Sequence, residues 1–140
     1  MKKNICRFQG GKIRMSVLAI VLIIVAIIVA GFFFFAVAGL GKVRRLSIEK
    51  IDLTKVEDGV YPGEFKGYRW SNKVEVTVKN HQIVGIKIIK DVTFGMGELS
   101  KKLFDQIIQK QSLQVDTVSN ATVTCNAYLK AIENALLKGK

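Results

Sequence analysis

The sequence is short of the residues that usually announce an active site. It holds one histidine, His81, and two cysteines, Cys6 and Cys125. A metal centre needs several such ligands at close spacing, and neither cysteine has a second cysteine or a suitably placed histidine beside it. His81 stands in the polar stretch Lys79-Asn80-His81-Gln82, which reads as an exposed turn and not as a ligand or catalytic base. No substrate-binding or proton-transfer constellation stands out. Acids are also scarce, 11 Asp and Glu against 22 Lys and Arg. Such an excess invites attraction to nucleic acid or to anionic lipid. Its distribution argues against nucleic acid. Lys2, Lys3, Arg7, Lys12 and Arg14 precede a long apolar run and Lys42, Arg44 and Arg45 follow it, where both groups can meet lipid headgroups. Beyond Arg45 the basic residues are scattered among acids, with no phosphate-tracking stripe.

What the sequence does have is a charge-free stretch from Met15 to Leu40. About 20 apolar residues suffice to cross the hydrocarbon core of a bilayer. In lipid the backbone must satisfy its own hydrogen bonds, which makes helix the conformation expected here. A buried core helix would show an apolar stripe, whereas this run is apolar all the way round. The basic residues in front outnumber those directly behind, so the N-terminus is expected in the cytoplasm and the rest of the chain outside. A cleaved signal peptide is the competitor, since Ala36-Val37-Ala38 has a small-x-small pattern, but the run exceeds the usual apolar region of about 7–15 residues. The expected organisation is a basic cytoplasmic tail over 1–14, a transmembrane anchor over 15–40, a linker over 41–57 and one domain over 58–140. Cys6 and Cys125 would then face opposite sides of the bilayer, which excludes an internal disulfide. Cys125 reads as a small buried apolar residue.

Within the domain, Val74, Val76 and Val78 alternate with Glu75, Thr77 and Lys79, the period of a half-buried strand. After the polar turn, Val84, Ile86 and Ile88 alternate with Gly85, Lys87 and Ile89, predicting a hairpin. A further strand begins near Tyr61, after the turn signal Asp58-Gly59. Leu46, Ile48, Ile51 and Leu53 of the linker fit either a short helix or an edge strand. Leu99, Leu103, Phe104, Ile107 and Ile108 recur at helical spacing between Glu98 and about Gln111. A final helix is expected within 116–140, with Cys125, Tyr128, Leu129, Ile132 and Leu136 on its apolar face and Lys130, Glu133 and Asn134 on the other. The fold class is therefore α+β: an N-terminal transmembrane helix, then a small domain with an antiparallel sheet packed against two helices.

The segment Asp116-Thr117-Val118-Ser119-Asn120-Ala121-Thr122-Val123-Thr124-Cys125 brings short polar side chains to the start of that last helix. Ser119 suits the N-cap, which would place Thr122 in the first turn beside unpaired backbone N–H groups, where a phosphate is a natural guest. Read from the residues alone, an ordinary helix cap explains the segment as well.

The order D-x-x-S-N-A-T-V-T resembles the D-x-x-S-G-A-T-x-[ST] signature of the FMN-binding domain family, found in subunits of membrane redox complexes and in small exported flavoproteins. Asp58-Gly59-Val60-Tyr61 is similar to that family's opening, and the valine hairpin to its centre. The resemblance implies FMN as cofactor, attached through its phosphate to Thr122 by a separate exported flavin transferase that uses FAD as flavin donor. Asp116 belongs to the sequence that the transferase recognises. Ser119, Asn120, Ala121 and Thr124 would surround the linking phosphate, with Asn120 standing where the family has Gly and tolerating left-handed backbone better than most residues. Tyr61, Phe65, Tyr68, Trp70 and Phe94 could stack on the ring or form core, and Gly95-Met96-Gly97 could border it. The implied function is an electron-transfer protein rather than an enzyme with its own substrate, fed by a membrane redox partner such as a quinone-linked dehydrogenase. The alternative is an anchored binding or scaffolding domain of the same fold without flavin.

Overall fold

A computed structural model describes residues 16–95, 97–117 and 121–140. The chain divides into two compact units, Met1–Ala36 and Val37–Lys140.

The first unit is dominated by helix α1 (Val17–Val37), with 21 residues and no buried side chain. At 1.5 Å of rise per residue it extends about 32 Å, the thickness of a bilayer core. The Ser16 hydroxyl accepts the Ala19 N–H at 3.3 Å, satisfying one of the amides that a helix start leaves over. Val, Ile, Leu and Phe are exposed on every side of α1. This helix is long and apolar enough to cross a membrane.

The second unit is an α+β domain. Strands β1 (Gly59–Phe65), β2 (Asn72–Lys79) and β3 (Gln82–Lys90) form an antiparallel sheet with β2 in the centre. Asn80 and His81 connect β2 to β3 at φ 53° and 57°, the left-handed pair that a tight two-residue hairpin requires. The Asp58 carboxylate pins this tip by accepting the Asn80 N–H at 2.9 Å and the His81 N–H at 3.1 Å. Val74, Val76 and Val78 turn inward as their alternation predicts. In β3 the reading needs correction. Ile83, not Val84, faces the core, because the register slips between Thr77 and Val78 and leaves Val84 half exposed. Such a bulge inverts the side-chain alternation locally, which a strict period of two cannot show.

Helices α3 (Gly97–Lys110) and α4 (Thr122–Leu136) cover the inner face. Ala127, Ala131 and Ala135 recur every four residues along α4 and are fully buried. Small residues let the helix lie close, and at Gly63 of β1 the approach becomes extreme. A Cβ there would stand 1.9 Å from the Ala131 carbonyl oxygen and 2.7 Å from the Ala135 methyl. The edges of the sheet are finished by side chains. Lys138 Nζ donates to the Pro62 carbonyl at 2.6 Å and Asn134 Nδ2 to the Glu64 carbonyl at 2.9 Å. On the other side the Gln111 amide accepts the Ile83 N–H at 2.8 Å and donates to its carbonyl at 2.9 Å, doing for β3 what a fourth strand would do.

Residues 41–57 lie on this core. Short helix α2 (Leu40–Arg44) buries Val43 completely, and Leu46, Ile48, Ile51 and Leu53 are half-buried. The Glu57 N–H reaches the Gly139 carbonyl at 2.9 Å, tying this segment to the end of the chain. It also explains a second correction. Glu133, expected on the solvated face of α4, is only 1% exposed. Its carboxylate pairs with Lys130 at 2.7 Å, and Lys130 also reaches the Ser47 carbonyl at 3.4 Å.

Two predictions follow from these contacts. Gly63→Ala should lower the unfolding free energy of the full-length protein in detergent by about 3 kcal/mol, the upper end of over-packing costs, because the obstacle is helix backbone. Gly85→Ala, where the nearest atom is 4.0 Å away, should cost far less in the same urea titration. The Asn80 and His81 amides hold the Asp58 carboxyl below the usual carboxylate range. The stabilisation is therefore present above that range and is lost as pH falls through the lowered value. Acidification below about pH 4 should thus destabilise the wild type more steeply than Asp58→Asn, as read by thermal melts across pH.

Candidate functional site

Helix α4 starts at Thr122, with Ala121 as its N-cap at φ −126° and ψ 15°. This is later than expected, and the capping residue has no side chain able to cap. Ser119 and Asn120 lie outside the described residues. The run Val115-Asp116-Thr117 enters without helix, in keeping with two β-branched residues and with an Asp drawn to Lys110 at 3.7 Å. The first helical hydrogen bond runs from the Cys125 N–H to the Ala121 carbonyl at 2.9 Å. The Thr122, Val123 and Thr124 amides come before it and have no acceptor within the helix. Thr122 is exposed in this first turn, and its hydroxyl oxygen accepts the Thr117 hydroxyl at 3.5 Å. Asp116 is almost fully exposed. Leu40, Arg44, Thr122 and Val123 line a hollow of about 290 Å³, which brings the Arg44 cation and Thr122 to one depression of the surface.

Thr124 belongs to a second hollow, of about 220 Å³, shared with Arg69, Trp70, Val92 and Phe94. Two backbone segments form its walls. One is the 3-10 turn Tyr68–Trp70, entered through Tyr68 at φ 53°. A left-handed tyrosine is strained, and the turn is held by a local network. The Gly67 N–H donates to Ser71 Oγ at 3.0 Å, Ser71 Oγ donates to the Tyr68 carbonyl at 2.6 Å, and the Trp70 N–H reaches the Gly67 carbonyl at 3.0 Å. The other wall is the loop from Asp91 to Gly95. It is clipped to the turn by the Thr93 N–H, which donates to the Arg69 carbonyl at 2.9 Å. Asp91 organises this loop: its Oδ1 accepts the Val92 N–H at 2.7 Å and the Tyr128 hydroxyl, and its carboxylate fills the space where a side chain on Gly95 would stand. Burial, with Asp91 beside it, pushes the Tyr128 hydroxyl well above the ordinary tyrosine value, so it stays a donor throughout the physiological range. Phe104 of α3 meets Tyr128 edge-on at 5.6 Å.

Of the five aromatic residues named from the sequence, only Trp70 and Phe94 line this hollow. Phe65 is core, Tyr61 donates its hydroxyl to the Glu57 carbonyl at 2.9 Å, and Tyr68 packs on Gly39. Gly97 opens α3, and Met96 lies outside the described residues. The residue that the sequence reading missed is Arg69. Its guanidinium lies 4.2 Å from the Trp70 ring centre and 6.0 Å from that of Phe94. Its Nε is buried without a hydrogen-bond partner among the described residues. The available signal was its position: it is the one arginine after Arg45 and stands next to the only tryptophan.

The model of the FMN-binding domain matches residues 67–137, from the start of the Tyr68–Trp70 turn to the end of α4. The chain belongs to the FMN-binding domain family. No curated protein matches it. FMN is accordingly the cofactor of this domain, and an N-terminal helix long and apolar enough to span a membrane precedes it. The residues present fit the group. An exposed hydroxyl stands among amides with no intrahelical acceptor for the phosphate end, and an aromatic hollow whose buried Arg69 Nε has no partner among the described residues lies by the same helix turn for the ring.

Removing the Tyr128 hydroxyl deprives Asp91 of one of its two hydrogen-bond donors while leaving the Phe104 contact. Tyr128→Phe should therefore cost about 1–2 kcal/mol of stability. Urea unfolding followed by the fluorescence of Trp70 measures this directly.

Proposed function

We propose that this chain is a membrane-anchored flavoprotein carrying FMN on Thr122 through a phosphodiester, and that it works as an electron carrier on the extracytoplasmic side. The observation that carries the reading is the placement of Thr122: exposed, at the first position of α4, among amides with no intrahelical acceptor and lining one hollow with Arg44. Those groups suit a phosphate that has become part of the side chain, because the helix dipole and the free N–H donors act on its charge without a folding change.

Attachment is the work of a separate flavin transferase. The Thr122 oxygen attacks the FMN phosphorus of FAD, the bond between the two phosphates breaks, the Thr122 proton is lost, and AMP leaves. Asp116, exposed on the approach to α4, is the side chain offered for recognition. Bound FMN supplies one- and two-electron redox chemistry, and the protein holds it and leaves an edge open. The anchor is assigned to α1, with the basic tail 1–14 in the cytoplasm, residues 41–57 as the connecting segment and the domain outside. Its electron donor is then a quinol or a quinone-linked membrane dehydrogenase, reached by diffusion in the bilayer plane.

The test is the intact mass of full-length protein co-expressed with a flavin transferase. An adduct of FMN less water is expected, lost in Thr122→Ala and visible as a fluorescent band after denaturation. A wild-type protein without the adduct, or one in which Thr122→Ala retains it, refutes covalent attachment. A protein that also fails to take up added FMN favours the flavin-free scaffolding role.

A further inference from the structure

We infer that Arg69 is the residue that sets the redox potential of the flavin, by holding its guanidinium and its free Nε–H against the edge of the ring in the hollow formed with Trp70, Phe94 and Thr124. This rests on the reading of the domain as an FMN carrier and goes beyond it in naming where the ring lies and which group acts on it.

Three observations converge. The hollow has two flat aromatic walls and a single cation, a composition suited to a conjugated ring with a polar rim and unlike a phosphate site. Thr124 stands two residues along α4 from Thr122, about 3 Å of helix rise and roughly 200° around the axis, so a ribityl chain beginning at Thr122 reaches the hollow by passing around the helix start. Finally, the Nε of Arg69 is buried and unpartnered among the described residues, although the Gly67 and Trp70 N–H groups and the Gly67, Tyr68 and Arg69 carbonyls of the same turn are paired. A planar group that hydrogen-bonds this N–H removes the deficit. The hollow, at about 220 Å³, is smaller than pockets that enclose a drug-sized ligand, so a tricyclic ring lodged there keeps one side in solvent.

The electrostatic consequence has a definite sign. Taking up two electrons from the donor and one proton from solvent leaves the ring with one more negative charge than before. A fixed cation at the rim favours the reduced form over the oxidised one. Arg69 is well suited to this, since a guanidinium stays charged at all physiological pH and its plane stacks on aromatic rings. The clip between the Arg69 carbonyl and the Thr93 N–H keeps this cation and the Phe94 loop in register.

The experiment compares flavinylated full-length protein with Arg69→Gln and Arg69→Lys, each reduced stepwise with dithionite while the flavin spectrum is recorded. Arg69→Gln should bind the oxidised ring preferentially and shift the balance ten- to a hundredfold, a potential lower by about 30–60 mV for a two-electron couple. Arg69→Lys, which keeps the charge, should recover most of that. Equal potentials in all three proteins, or equal shifts in both variants, overturn the proposal while leaving the carrier reading intact. A second arm holds whether or not covalent attachment occurs. Thr122→Ala protein is titrated with FMN and the quenching of Trp70, the only tryptophan, is followed. Saturable quenching is expected, at least tenfold weaker once Arg69→Gln is added. Identical titrations with and without Arg69→Gln reject the ring site.

Discussion

The contact of Gly63 with the Ala131 carbonyl decides where everything else in the domain can be. Helix α4 lies on the sheet with its backbone almost touching β1, and the alanine stripe at 127, 131 and 135 allows this along its length. A helix held that close has little freedom to slide or roll, since interiors are packed at the density of organic crystals. Fixing α4 fixes the ends of its reach. At one end Thr122 and Thr124 are presented from the first turn. In the middle Tyr128 meets Asp91, and at the far end Asn134 and Lys138 finish the edge of β1. The placement of Thr122 is thus an outcome of sheet packing: the helix proposed to supply the phosphate end of the flavin site is the one whose burial holds the domain together.

The same helix explains why two polar arrangements are tolerated inside. Glu133 and Lys130 form a pair shielded by residues 41–57, and the second carboxylate oxygen of Glu133 has no partner among the described residues. Buried pairs seldom add stability over apolar residues, because desolvation offsets the attraction. What this pair does is fix the chain near Ser47 against α4, while Val43 and Val56 fill the core on either side. Asp91 and Tyr128 act differently. They tie a surface loop to the core by one side-chain hydrogen bond, and that loop carries Phe94 to the rim of the hollow.

The legible part of the fold was the part governed by regular period. Val74, Val76 and Val78 gave away β2, and Leu103, Phe104 and Ile107 gave away α3, because a single buried face imposes a repeat of two or of 3.6. Legibility failed where one residue breaks the repeat. Val84 sits in a bulge that puts Ile83 inside, and the start of α4 falls at Thr122 because the β-branched residues ahead of it do not favour helix. Glu133 misled because its environment is made by a segment more than 80 positions earlier in sequence, near Ser47. At the site, the short motif around Thr122 could be read, since its residues are neighbours in the chain. Arg69 could not, because its partners Phe94 and Thr124 come from distant stretches and only folding assembles them.

That difference bears on how the proposed carrier would work. In the proposed attachment the motif around Thr122 is read by another protein, which requires information that is local and accessible, and Asp116 and Thr122 are both exposed. The potential of the bound ring depends on what surrounds it, so its determinants must be tertiary and shielded from water, where a charge acts through a lower dielectric. Arg69 meets that requirement through its stacking on buried Trp70 and through the Thr93 clip. A hollow that covers only part of a tricyclic ring serves both needs at once. In the proposed carrier its walls would hold the ring against the cation, and the uncovered side would exchange electrons with a redox partner.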